Sequence, residues 1–175
     1  MSREVHFVSS KRSSNRQNGL MPIHIRRAGI EDLNELVHHR RAMFEEMGQR
    51  DIAVLDAVAK TSRDYFDQAL RARTYVAWLA EQSRDRRVVA GGGVVVAPWP
   101  GFPGEQRPER AWILNLYTEP EVRRQGIAKR LLAVIIAWCR SQGYNTVSLH
   151  ASPAGRPLYE ALGFEQTNEM RLKLR

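Results

Sequence analysis

Six consecutive residues, Arg123-Arg124-Gln125-Gly126-Ile127-Ala128, have the types and the placement to hold an anion. They follow an apolar, strand-like run from Ala111 to Tyr117. They open a stretch in which Ile127, Leu131, Val134, Ile135 and Trp138 recur at helical spacing and mark its buried face. At a helix start several backbone N–H groups lack an intrahelical acceptor and the macrodipole is positive, so a bound anion is stabilised there. Gly126 and the small Ala128 let a phosphate approach the main chain, where a larger side chain would fill the space. Arg123 and Arg124 add charge-assisted donors, and a diphosphate suits the site. Taken in isolation, the same residues also read as a solvated Arg-Arg loop ahead of an ordinary helix. The chain has no Gly-x-x-x-x-Gly-Lys-Ser/Thr loop, and Gly91-Gly92-Gly93 sits inside a strand pattern, where it reads as a bulge.

The elements that must position this turn are legible from periodicity and punctuation. A short strand at Ile23 to Arg26 precedes a helix opened by Glu31-Asp32, with Leu33, Leu36, Val37, Phe44 and Met47 on its apolar side and Gly48 at its end. A second helix spans Ile52 to Ala72. Strands at Tyr75 to Glu81 and Val88 to Ala97 form a hairpin around the charged turn Ser83 to Arg87. The Pro- and Gly-rich segment 98–108 is a loop before the strand at Ala111 to Tyr117. After the long helix, capped by Gly143, come a buried-type strand at Thr146 to His150, a short helix from Gly155 to Leu162 and a last strand at Glu169 to Leu174. A helix crossing between two strands favours a parallel connection inside an otherwise antiparallel sheet. The predicted class is therefore α/β or α+β with a mixed sheet.

With 175 residues, 43% of them hydrophobic, the chain suits one domain with a real core. Residues 1–20 are rich in Ser, Arg and Asn and read as a disordered basic tail ahead of a domain at 21–175. Met21-Pro22 is an alternative start. The single Cys139 excludes an internal disulfide, reads as a buried structural thiol and fits a reducing cytoplasm. No cluster has metal-ligand spacing, so no metal is expected, and no apolar run has the length of a membrane span. The net charge of +8 raises nucleic-acid binding through the basic tail as one alternative. The basic residues are not interleaved with aromatics as a single-strand platform requires.

The anion-binding turn, the Leu-rich helix behind it and the segment Leu158-Tyr159-Glu160-Ala161-Leu162-Gly163-Phe164 together resemble the GNAT acetyltransferase superfamily over roughly residues 23 to 174. Arg123-x-x-Gly126-x-Ala128 looks like the family's (Gln/Arg)-x-x-Gly-x-(Gly/Ala) signature, and Leu158-Tyr159 to Gly163-Phe164 like its Leu-Tyr…Gly-Phe segment. The resemblance implies a mostly antiparallel sheet flanked by helices and splayed between the strands at 113–117 and 146–150. It implies acetyl-CoA as cosubstrate and CoA as product. Leu116, Tyr117 and Thr118 would contact the pantetheine arm, and Arg123, Arg124, Gln125, Gly126, Ile127 and Ala128 would hold the pyrophosphate. Tyr159 would be the acid that protonates the departing thiolate. Ser152 stands where many members carry an Asn that bonds pantetheine, and Gly155 replaces a frequent alanine.

The implied reaction is direct attack of a primary amine on acetyl-CoA, with a CoA-sensing module as the alternative. A base must then deprotonate the ammonium form, and Glu119, Asn115 and His150 are the candidates. The acceptor pocket would draw on Arg40, Arg41, Met43, Phe44, Met47, Trp99 and Phe102. Of these, Met43, Phe44 and Met47 fit core spacing, and Arg40 or Arg41 could pair with a substrate carboxylate. A small amine, an amino-acid derivative or a peptide N-terminus would serve as acceptor, and a homodimer fits the general commonness of such assemblies.

Overall fold

The computed structural model describes residues 22–172 and 174, so the basic tail expected at 1–20 lies outside the described residues. Five strands, β1 (Ile23–Arg27), β2 (Tyr75–Gln82), β3 (Val88–Pro98), β4 (Glu109–Thr118) and β5 (Val147–Leu149), form one sheet in sequence order. The first three pairings are antiparallel, and β4 to β5 is parallel. Helices α1 (Leu33–Glu46) and α2 (Ile52–Arg71) precede β2. Helix α3 (Ile127–Ser141) makes the crossover from β4 to β5, and α4 (Arg156–Glu160) follows. Among the described residues no helix is long and apolar enough to cross a membrane.

Both faces of the sheet are covered, which explains why β2 is apolar along almost its whole length. Tyr75, Ala77 and Leu79 pack with Leu36, Phe66 and Ala69 of α1 and α2. Val76, Trp78 and Ala80 alternate with them and join Leu131, Leu132, Ile135 and Cys139 of α3. Cys139 is buried there and its thiol is pushed up to about 11 by desolvation, as a structural cysteine should be.

The glycine triplet serves close approach. A Cβ on Gly91 would stand 2.6 Å from Nδ1 of the buried His39, and one on Gly93 would stand 2.6 Å from the Tyr75 ring. The bulge expected at the triplet is carried by the facing strand instead: Gly91 pairs with Tyr117 and Gly93 with Leu114, leaving Asn115 and Leu116 opposite Gly92. Asn115 takes the extra step with a positive φ of 61°, a region that Asn tolerates better than most residues. Gly93→Ala is expected to lose about 1–3 kcal/mol of stability through overpacking against Tyr75, read as a lower urea midpoint. An unchanged midpoint would mean that Tyr75 can move aside.

Four local expectations change. On α3, Val134 is 36% exposed and Leu132 takes its place in the core, because Val134 lies about 100° round the helix from Ile135. Met47, expected in the core, is 60% exposed, since α1 ends at Glu46 and the helical phase stops there. Strand β5 is half-buried rather than buried, as an edge strand paired only with β4. The strand expected at 169–174 does not form among the described residues: Met170 and Leu172 are exposed. Alternating side chains specify a strand only where a ladder partner is available.

Candidate active site

The chain between β4 and α3 is built as a tight turn. Pro120–Val122 form a single 3-10 turn anchored by the buried Val122. Arg124 and Gly126 then adopt left-handed φ values of 61° and 75°. Gly126 is the N-cap of α3, and the first intrahelical bond is Arg130 N–H to the Gly126 carbonyl at 3.0 Å. The amides of Ile127, Ala128 and Lys129 therefore have no acceptor within the helix. A left-handed residue followed by a right-handed one also turns successive N–H groups into a concave anion nest. A Cβ on Gly126 would meet nothing within 4 Å, so the turn is open beside the start of the helix.

The arginines of the motif divide. Arg123 is tied down: its Nε donates to the Thr118 carbonyl at 2.8 Å, and its Nη2 holds both Glu46 carboxylate oxygens at 2.7 and 2.6 Å. Its side chain braces the turn against α1. Arg124 and Gln125 make no side-chain hydrogen bond or ion pair among the described residues, and Arg124 is exposed beside the nest.

Next to this turn the sheet opens. The parallel ladder pairs Ala111 with Val147, Trp112 with Ser148 and Ile113 with Leu149, and ends there. Residues 114–118, including Leu116, Tyr117 and Thr118, continue along β3 without a partner on the β5 side. The splay thus begins one residue later than Ile113, and the bulge at Asn115 falls at its mouth.

Tyr159, on α4, is half-buried and meets Phe164 edge to face at 5.8 Å. Burial raises its phenol above the ordinary value, which keeps the hydroxyl protonated. Gly155 makes room for it: an added Cβ would lie 3.1 Å from a Tyr159 ring carbon. Ser152 Oγ accepts from the Gly155 amide at 3.1 Å, so it caps the turn and keeps its own proton to donate.

The candidate bases separate by environment. Asn115 is buried and donates its Nδ2 to the Leu36 carbonyl at 3.1 Å, a structural tie between β4 and α1. His150 is exposed, pairs with Glu169 and meets the Trp112 ring at a tilt, centroids 4.6 Å apart. Glu119 is largely covered, receives His38 Nε2 at 2.8 Å and lies 3.5 Å from the Tyr117 hydroxyl. His38 and Glu46 carried no local signal in the sequence, because their partners stand 81 and 77 residues away.

Around the free edge of β5 runs a groove of ≈ 800 Å³, whose walls include Met47, Arg110, Trp112, His150, Ser152 and Tyr159. Of the acceptor residues expected from sequence, Arg41 is engaged by Asp56 at 2.9 Å and Glu45 at 3.6 Å. Arg40 lies over the Phe44 ring at 4.6 Å. Trp99 and Phe102 are exposed. Arg110 and Trp112 were not anticipated, although their alternation with the buried Ala111 and Ile113 places them together on the opposite face.

The sequence profile described as the acetyltransferase (GNAT) family matches residues 34–164. Among solved structures, a GCN5-related N-acetyltransferase from Ralstonia eutropha superposes with a TM-score of 0.81 at 34% identity, covering 87% of this chain and 99% of that one. A predicted acetyltransferase from Clostridium acetobutylicum, solved with acetyl-CoA, gives a TM-score of 0.75 at 27% identity over 88% of this chain and 96% of that one. N-acetyltransferase 8 of Homo sapiens is 32% identical over 95 residues, which make up 53% of this chain and 39% of that protein. The matched segment thus spans well under half the length of that relative.

Proposed function

The chain belongs to the acetyltransferase (GNAT) family, and from that premise we propose that it moves an acetyl group from acetyl-CoA to a primary amine by direct attack in a ternary complex, releasing CoA. The observation that carries this reading is the nest at Gly126, with acceptor-free amides at the start of α3 and a turn that is open beside it. The unpaired stretch of β4 beside it supports the same ligand, since an extended amide-bearing arm can hydrogen-bond exposed strand backbone.

When bound, acetyl-CoA supplies an acetyl group activated as a thioester. The residues present fit it. The amides of Gly126, Ile127 and Ala128 would hold the pyrophosphate, Arg124 and Gln125 would add side-chain donors, and Arg123 holds the turn through Glu46 and Thr118. Leu116, Tyr117 and Thr118 offer main-chain groups to the pantetheine arm, and the Ser152 hydroxyl donates where an Asn is common. Tyr159 would donate its Oη proton to the departing sulfur. We assign the base to Glu119: its carboxylate takes the ammonium proton while His38 Nε2 orients it.

Two measurements test this reading. Acetyl-CoA with a panel of amines and peptide N-termini is expected to yield amine-dependent release of free CoA above hydrolysis. Tight acetyl-CoA binding with no such release would leave a CoA-sensing module. Glu119→Gln is expected to lower kcat/KM by about 10²-fold while leaving the acetyl-CoA-induced shift in melting temperature unchanged. An undiminished kcat/KM would place the base elsewhere.

A further inference from the structure

Strand β4 turns Arg110 and Trp112 away from the α3 core, which takes the intervening Ala111 and Ile113. The Arg110 guanidinium lies over two indoles, 4.2 Å from the Trp112 ring centroid and 5.1 Å from that of Trp99. Its one hydrogen bond among the described residues runs from Nη2 to Ser148 Oγ at 3.2 Å. Among the described residues no carboxylate pairs with it, and three acids of this region are engaged elsewhere. Glu109 binds Arg107 at 3.2 Å and the Tyr144 hydroxyl at 3.1 Å. Glu105 accepts the Asn145 amide at 2.8 Å. Glu169 is held by His150 and Arg171.

A guanidinium carries five N–H donors in a planar fork matched to a carboxylate. Here most of that fork is unspent among the described residues and half-buried over the Trp112 ring, on the wall of the same groove that Tyr159 lines. The other cations of the groove are less suited: Arg156 donates to Gln166 and Arg171 to Glu169, while Arg140 stands exposed on the last turn of α3. Met47 and Trp112 give the groove apolar surface.

We infer that this groove recognises acceptors that carry a carboxylate beside an apolar group, with Arg110 gripping the carboxylate and the apolar part lying on Trp112 and Met47. The chemical class is an α-amino acid or peptide-like amine with an apolar side chain. The role sought in Arg40 and Arg41 thus falls to Arg110. The inference rests on the acetyl-transfer reading for the identity of the ligand as acceptor, but its test does not need turnover.

Calorimetric titration of N-acetyl-L-phenylalanine, a product-like probe, is compared with its carboxamide in the wild type, Arg110→Gln and Arg110→Lys. The carboxylate is expected to bind at least about tenfold more tightly than the amide. That preference should vanish in Arg110→Gln and survive in part in Arg110→Lys, with melting temperatures confirming that both variants fold. Equal affinities in the wild type, no detectable binding of either probe, or a preference unchanged in Arg110→Gln would each overturn the inference. Acetyl-CoA binding and amine-dependent CoA release in the same preparation report separately on acetyl transfer. Their failure would sink that reading without touching the carboxylate preference.

Discussion

Gly126→Glu is expected to abolish the thermal stabilisation that acetyl-CoA confers. A ligand at 100 times its Kd stabilises the native state by about 2.7 kcal/mol, a shift of several degrees for a domain of this size. The left-handed φ of 75° makes any side chain at Gly126 somewhat strained, so the melting temperature without ligand will fall in both Gly126→Ala and Gly126→Glu. The two variants differ in what they put before the amides of Ile127 and Ala128. A methyl group enters open space, whereas a carboxylate occupies the nest and repels the diphosphate. Gly126→Ala should therefore keep a reduced ligand-induced shift and Gly126→Glu none. An undiminished shift in Gly126→Glu would mean that the pyrophosphate binds elsewhere.

Tyr159→Phe should lower kcat by about 10²-fold or more while leaving the acetyl-CoA-induced shift in melting temperature unchanged. The substitution keeps the ring that meets Phe164 and fills the space beside Gly155, and removes only the hydroxyl. Burial holds that hydroxyl protonated at neutral pH, so it is a donor before reaction. Its proton is needed as negative charge develops on sulfur, and its loss should fall on kcat rather than on binding. Equal turnover of the two proteins would make Tyr159 a packing residue.

The parts of this site that were legible in the sequence are those whose cause is local. The turn at Gly126 could be read because a strand signal, a glycine and a helix signal stand within a few residues of one another, and left-handed φ is a property of the residue itself. Helix and strand boundaries within β2, β3, α2 and α3 followed from period and punctuation for the same reason. Interactions made between elements were hidden. The sequence could not reveal that Glu46 reaches across 77 positions to pair with Arg123. Nor could it reveal that His38 reaches 81 positions to Glu119. The bulge was expected on the glycines of β3. It formed on β4, because the glycines are consumed by the approach of His39 and Tyr75. Periodicity also overran two ends: Met47 lies past the last helical residue of α1, and the alternation at 169–174 meets no ladder among the described residues.

The central claim, that main-chain amides at the start of α3 bind the cofactor's diphosphate, is tested most directly by backbone amide chemical shifts during titration with acetyl-CoA. The largest changes should fall on Gly126, Ile127, Ala128 and Lys129, with smaller ones along Leu116 to Thr118. Saturable binding that leaves those four amides unmoved would contradict it.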